Sequence, residues 1–143
     1  MMGVASELII PVALAQRMLE HARAELPNEA CGILSGDLAT GQATSFHPAR
    51  NAEASPLRYN VHPDDLIRIV LGIEDAGEDL VAIFHSHTGS PAVPSATDHR
   101  AAQYPGVFYV LASLADPAAP PSEALRAWRI EGGQSSEVPL TLG

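Results

Sequence analysis

His85 and His87 stand two residues apart at the end of an apolar run, Leu80-Val81-Ala82-Ile83-Phe84. Side chains two apart on a strand share a face, with a rise of roughly 6.6–6.8 Å over the pair, so the two imidazoles can converge on one ion. Neutral imidazole suits Zn²⁺, and a catalytic zinc takes three protein ligands while keeping a position for water. Asp98 is the candidate third ligand. It follows a loop stiffened by Pro91 and Pro94 and opens a helix, so its carboxylate can return toward the strand end. Such a centre lowers the pKa of its water toward about 7 and polarises a carbonyl, which is the chemistry of amide hydrolysis. An H-x-H pair alone is more often two unrelated polar residues, and Ser95 with Asp98 three positions on also matches a capping box. The capping and ligand roles are compatible.

The elements that must hold these residues are legible in outline. A strand over 8–10 hands over at Pro11, the first helical position, to a helix over 12–25 with Leu14, Met18 and Leu19 on its apolar face. Pro27-Asn28 ends it. A buried strand over 31–36, a hairpin connection over 37–44 and a strand over 45–48 follow. After a loop over 51–56, the segment 57–61 reads as extended. Pro63 then opens a helix with Asp64-Asp65 in its first turn and Leu66, Ile69, Val70 and Ile73 on its apolar face. The run 80–84 is of strand length and buried on both faces. A loop over 88–94, a short helix near 95–103, a strand over 107–114, a turn-rich connection over 116–122 and strands over 125–130 and 137–142 complete the chain.

At 143 residues, with 46% hydrophobic and 17% charged, the composition is that of one globular domain spanning 1–143. The net charge of −9, from 8 basic against 17 acidic side chains, argues against nucleic acid. Cys31 is the single cysteine, so no disulfide forms within the chain, and its CGIL setting reads as a small packed hydrophobe. No apolar run reaches the roughly 18 residues of a membrane helix. The start of the chain lacks a basic segment ahead of its apolar stretch, so it does not read as a signal peptide, and the expected location is cytoplasmic. His21, His47, His62 and His99 have no matching constellation and read mostly as surface residues, with His99 adjoining Asp98. The pairs Asp64-Asp65 and Glu78-Asp79 read as solvated acids.

His85-Ser86-His87, seven residues, Ser95, two residues and Asp98 resemble the signature of the JAMM (MPN-plus) metalloproteases. The upstream acid of that family, ahead of a buried strand, is matched by Glu29 in Asn28-Glu29-Ala30-Cys31-Gly32. One departure is Thr88, where many members carry proline. The resemblance implies an α/β (α+β) MPN/JAMM fold, a curved mixed sheet flanked by helices, cytidine-deaminase-like. It implies one Zn²⁺ on His85, His87 and Asp98, Glu29 as general acid/base, and Ser95 as donor to the oxyanion. Through PNEACGIL, NAEASPLRY, HSHT and FYVLAS the chain is most similar to the bacterial Mec-type members. These release cysteine from the Gly-Gly C-terminus of a ubiquitin-like sulfur carrier of ThiS/MoaD/CysO type. Tyr59, Asn51 and Ser55 are then candidates to line the groove for that tail, and a homodimer is compatible with the pattern. Broader removal of ubiquitin-like modifiers from lysines, and a non-catalytic MPN scaffold, are the competing expectations.

Overall fold

A computed structural model describes residues 5–143. The reading of the chain start as leaderless begins in residues 1–4, outside those described. Twelve elements follow in chain order: β1 (Leu8–Ile10), α1 (Val12–Ala24), β2 (Cys31–Asp37), β3 (Gln42–Ala49), α2 (Pro63–Asp75), β4 (Asp79–His87), α3 (Ala96–Ala101), β5 (Phe108–Ser113), α4 (Pro121–Ala124), β6 (Leu125–Glu131), β7 (Gln134–Val138) and β8 (Leu140–Leu142). The strands form one mixed sheet in the order β7-β6-β5-β4-β2-β3-β1-β8. Only Pro139 separates β7 from β8, yet these two stand at opposite edges. The sheet therefore curls until its edges approach.

Each face of the sheet has its own core. Leu14, Met18 and Leu19 of α1 pack with Leu34, Phe84, Phe108 and Val110 on one side. Ile69 and Ile73 of α2 pack with Cys31, Ile33, Ile83 and Leu111 on the other. Fully burying a side chain of this size contributes about 1.5–3 kcal/mol. Alternation along β4 then decides where the histidines go. Ala82 and Phe84 face α1 and Ile83 faces α2, so His85 and His87 continue the Ile83 row on the α2 side. Strand β5 runs parallel to β4, which demands a crossover, and α3 with Asp98 lies on it.

Four expectations are corrected. The segment 57–61 is not a strand and makes a single bridge, Asn51 with Val61, because the Asn51 side chain holds the loop in turns through backbone groups of Glu53, Arg58 and Asn60. The final strand splits at Pro139, which has no N–H to give to a ladder. Pro11 is the N-cap of α1 and not its first helical residue. Asp65 and Glu78 are not simply solvated: Asp65 is buried, accepting from the Arg50 backbone and guanidinium, and the half-buried Glu78 joins a hydrogen-bond network described below.

Candidate active site

His85, His87 and Asp98 form a group whose potential ligand atoms all lie within 4.8 Å of one another, and all three are buried. The two oxygens of Asp98 are divided between the rings, Oδ1 at 3.1 Å from His85 Nε2 and Oδ2 at 2.9 Å from His87 Nε2. His85 is fully buried, and neither of its ring nitrogens has a hydrogen-bond partner, since the approach to Oδ1 is not aligned for one. A buried unsatisfied polar atom costs about 1–3 kcal/mol. A lone-pair nitrogen with nothing to accept from, facing a carboxylate, is the donor set a divalent cation completes, and so the residues fit a metal of the zinc type. Burial lowers the pKa of His85 against the pull of Asp98, which keeps the ring neutral as a ligand must be.

His87 is held differently. Its Nδ1 lies 2.7 Å from the Pro91 carbonyl, and a carbonyl only accepts, so Nδ1 carries a proton, while Nε2 lies 2.9 Å from Asp98 Oδ2. Burial pulls His87 down, but its contacts with Asp98 and Pro91 outweigh that and leave it raised. Burial likewise pushes Asp98 up, and the nearness of His85 together with the bonds from His87 and the Ser95 N–H more than reverses it, holding the carboxylate well below its usual range. Ser95 is the N-cap of α3: its Oγ accepts from the Asp98 N–H at 3.0 Å while Asp98 Oδ2 accepts from the Ser95 N–H at 2.9 Å. The capping box thus aims the Asp98 carboxylate. The Ser95 side chain is exposed, and accepting at Oγ leaves its O–H proton available.

Glu29 precedes β2 by two residues, on the row of Cys31, which is registered with His85. It is 4% exposed, and its Oε1 has no partner. Burial pushes its carboxyl up to about 7, with His87 opposing and Asp98 reinforcing the rise. Its backbone is fixed from two sides, by Glu29 N–H to Ser55 O at 2.8 Å and by Asn51 Nδ2 to Glu29 O at 3.0 Å. Next to it, the Ala30 N–H donates to Ser86 Oγ at 2.8 Å and the Ser86 N–H donates to Ala30 O at 3.0 Å. Ser86, between the two histidines, therefore ties the acid's segment to the ligand strand. Its place inside H-S-H was the only sequence signal for that role.

Tyr59 stacks on His85 with ring centroids 4.2 Å apart and planes at 17°, and it walls a neighbouring cleft of about 280 Å³ lined also by Asn60, Leu66, Ile83 and Tyr109. Asn51 engages its amide with four backbone groups, so it braces the loop and Glu29 with no donor or acceptor to spare. Ser55 Oγ accepts from Leu57 N–H within the same loop. Thr88 donates to the Pro56 carbonyl at 3.3 Å, linking this loop to the one after His87. Cys31 is buried and its thiol is pushed up to about 12, chiefly by burial, as befits a packed side chain. His99 packs beside the site without facing it, bonded to Ser95 O and Ser135 Oγ.

Residues 11–131 match the family described as prokaryotic homologs of the JAB domain. The chain is 37% identical over 140 residues to the CysO-cysteine peptidase of Mycobacterium tuberculosis, covering 98% of this chain and 94% of that protein. It is 38% identical over 113 residues to a desampylase of Haloferax volcanii, covering 76% and 81%. Among solved structures, protein DSY2949 of Desulfitobacterium hafniense superposes with a TM-score of 0.85 at 32% identity, covering 95% and 92%. A metal-competent His-His-Asp group, a buried acid beside it and this likeness along nearly the whole length agree: the chain belongs to the prokaryotic JAB-domain family.

Proposed function

We propose that the chain is a zinc-dependent peptidase, a single domain over 1–143, which hydrolyses the amide bond after the C-terminal Gly-Gly of a ubiquitin-like sulfur carrier and releases cysteine. The observation that carries the metal reading is the convergence of His85, His87 and Asp98 with both nitrogens of a buried His85 unpartnered. The likeness to a CysO-cysteine peptidase supports the substrate. When bound, zinc supplies Lewis acidity at the carbonyl and an acidified water. Glu29, with a carboxyl raised to about 7, takes a proton from that water and passes it to the leaving amine, since a general base works best with a pKa near the working pH. Ser95 turns its free O–H toward the oxyanion. Tyr59 and the loop braced by Asn51 and Ser55 form the wall along which the tail lies. One cysteine suits a cytoplasmic setting, and no helix among the described residues is long and apolar enough to cross a membrane.

The test is metal analysis of the purified protein followed by cleavage of a carrier–cysteine adduct beside a carrier–lysine conjugate. Stoichiometric zinc and release of cysteine are expected. Failure to bind zinc on reconstitution sinks the metal reading, and an intact cysteine adduct sinks the substrate. The likeness to a desampylase favours a second reading, removal of ubiquitin-like modifiers from protein lysines, for which the lysine conjugate would be cut instead.

A further inference from the structure

The loop over 88–94 has no regular structure, and carbonyls in such loops ordinarily face water. Here three in succession accept from side chains on three different strands. Ser90 O accepts from Ser113 Oγ of β5 at 2.7 Å, Pro91 O from His87 Nδ1 of β4 at 2.7 Å, and Ala92 O from Trp128 Nε1 of β6 at 2.9 Å. The Val93 N–H closes a further bond on Pro91 O at 2.8 Å, so the middle carbonyl is fully engaged. Ala92 is 3% exposed and packs in the α2-side core with Trp128. The register explains why these donors reach the loop. Ser113 is paired with His87 and Trp128 with Tyr109, one strand further out.

We propose that Ser113 and Trp128 are positioning residues for the metal centre. By gripping the carbonyls on either side of Pro91, they fix the orientation of the one carbonyl that accepts from the His87 Nδ1–H. In the neutral ring that a metal ligand must be, that bond leaves the lone pair on Nε2, the nitrogen facing Asp98. A buried indole N–H needs some acceptor, so a plain core tryptophan explains a bond but not this partner. The adjacency of Ser90, Pro91 and Ala92 connects β5 and β6, which supply no ligand, to the tautomer of a ligand on β4. Partners that orient a metal-binding histidine typically change metal affinity by about 10–100-fold when removed.

The inference rests on the metal reading above, and the experiment separates the two. Zinc affinity is measured by chelator competition for wild type, Ser113→Ala, Trp128→Phe and the double variant, with Ser113→Thr as the hydroxyl-retaining control. In parallel, ¹⁵N-histidine spectra of the metal-free proteins report the His87 Nδ1–H and whether it is hydrogen-bonded. Expected are a loss of zinc affinity of about 10-fold or more in the double variant, a smaller loss in each single variant, recovery in Ser113→Thr, and a His87 Nδ1–H signal that no longer shows the bond to the Pro91 carbonyl. Affinity within twofold of wild type and an unchanged His87 Nδ1–H signal in the variants overturn the proposal, even if Trp128→Phe lowers the melting temperature. If the double variant does not fold, Ser113→Ala against Ser113→Thr decides by the same two readouts. A wild type that binds no zinc overturns the metal reading instead.

Discussion

Two polar clusters lie at opposite ends of β2, one half-exposed around a buried serine and one buried, and they are built on opposite terms. At the Asp37 end, Ser35 is fully buried with His47 Nε2 at 2.8 Å and Glu78 Oε1 at 2.9 Å, and Thr44 also donates to Glu78. An ionised Glu78 only accepts, so the Ser35 O–H donates to it and the His47 Nε2–H donates to Ser35. The bonds from Thr44 and Ser35 hold Glu78 below its ordinary value, and burial lowers His47. The hydroxyls and the imidazole of this end all have partners. At the Cys31 end, Glu29 Oε1 and both nitrogens of His85 have none. Histidine, carboxylate and serine occur in both clusters. The lesson is that a closed network serves the fold, whereas a buried one with orphaned atoms is set up for something that arrives later.

The comparison can be broken most directly at the open cluster. His87→Ala or Asp98→Ala should remove bound zinc and reduce hydrolysis to background, read by metal content and product release, while far-UV circular dichroism stays native. Next, Glu29→Gln should keep the metal and lower kcat by about 10²–10⁴-fold, the range a general acid/base supplies. Undiminished turnover in that variant would remove Glu29 from its role. At the closed cluster the pattern should invert. Ser35→Ala should cost about 0.5–1.5 kcal/mol of unfolding free energy by urea titration, through loss of the bonds this buried hydroxyl makes, with kcat of the folded protein unchanged.

The smallest effect is a pH dependence of the metal-free protein. The Glu29 carboxyl is raised from 4.5 to about 7, so the folded state holds this proton more tightly than the unfolded state does. Its contribution to stability is therefore fully present below about 4.5 and lost as pH rises through about 7. The urea midpoint of wild type relative to Glu29→Gln should fall across that window, and parallel curves would contradict the burial cost assigned to Glu29.

The spacing from His85 to Asp98 was legible because it is local: a strand end, a proline-bounded loop and a capped helix turn fix it within one stretch of chain. Glu29 was legible only through the resemblance, since its nearness to His85 depends on the antiparallel register of β2 with β4. The rest of the site depends on register or on loop path. Tyr59 stacked on His85, Ser86 tied to Ala30, and Trp128 bonded to Ala92 join residues far apart in sequence. Asp65 looked like a solvated helix-start acid because its partner, Arg50, is brought to it by the end of β3. The split of the last strand at Pro139 was signalled by the proline itself, but not the journey of β8 to the far edge.

That journey has a kinetic meaning. Leu8, Ile9 and Ile10 pair with Leu140, Thr141 and Leu142, so the ladder joins opposite ends of the described chain. Loop closure over such a span is slow, and folding rates fall as contacts become less local. The strands that carry the site, β2, β4 and β5, pair without that closure. During synthesis the hydrolytic centre is thus able to take shape before the β1–β8 seam is sealed, and until β8 is translated β1 waits with an unpaired strand edge.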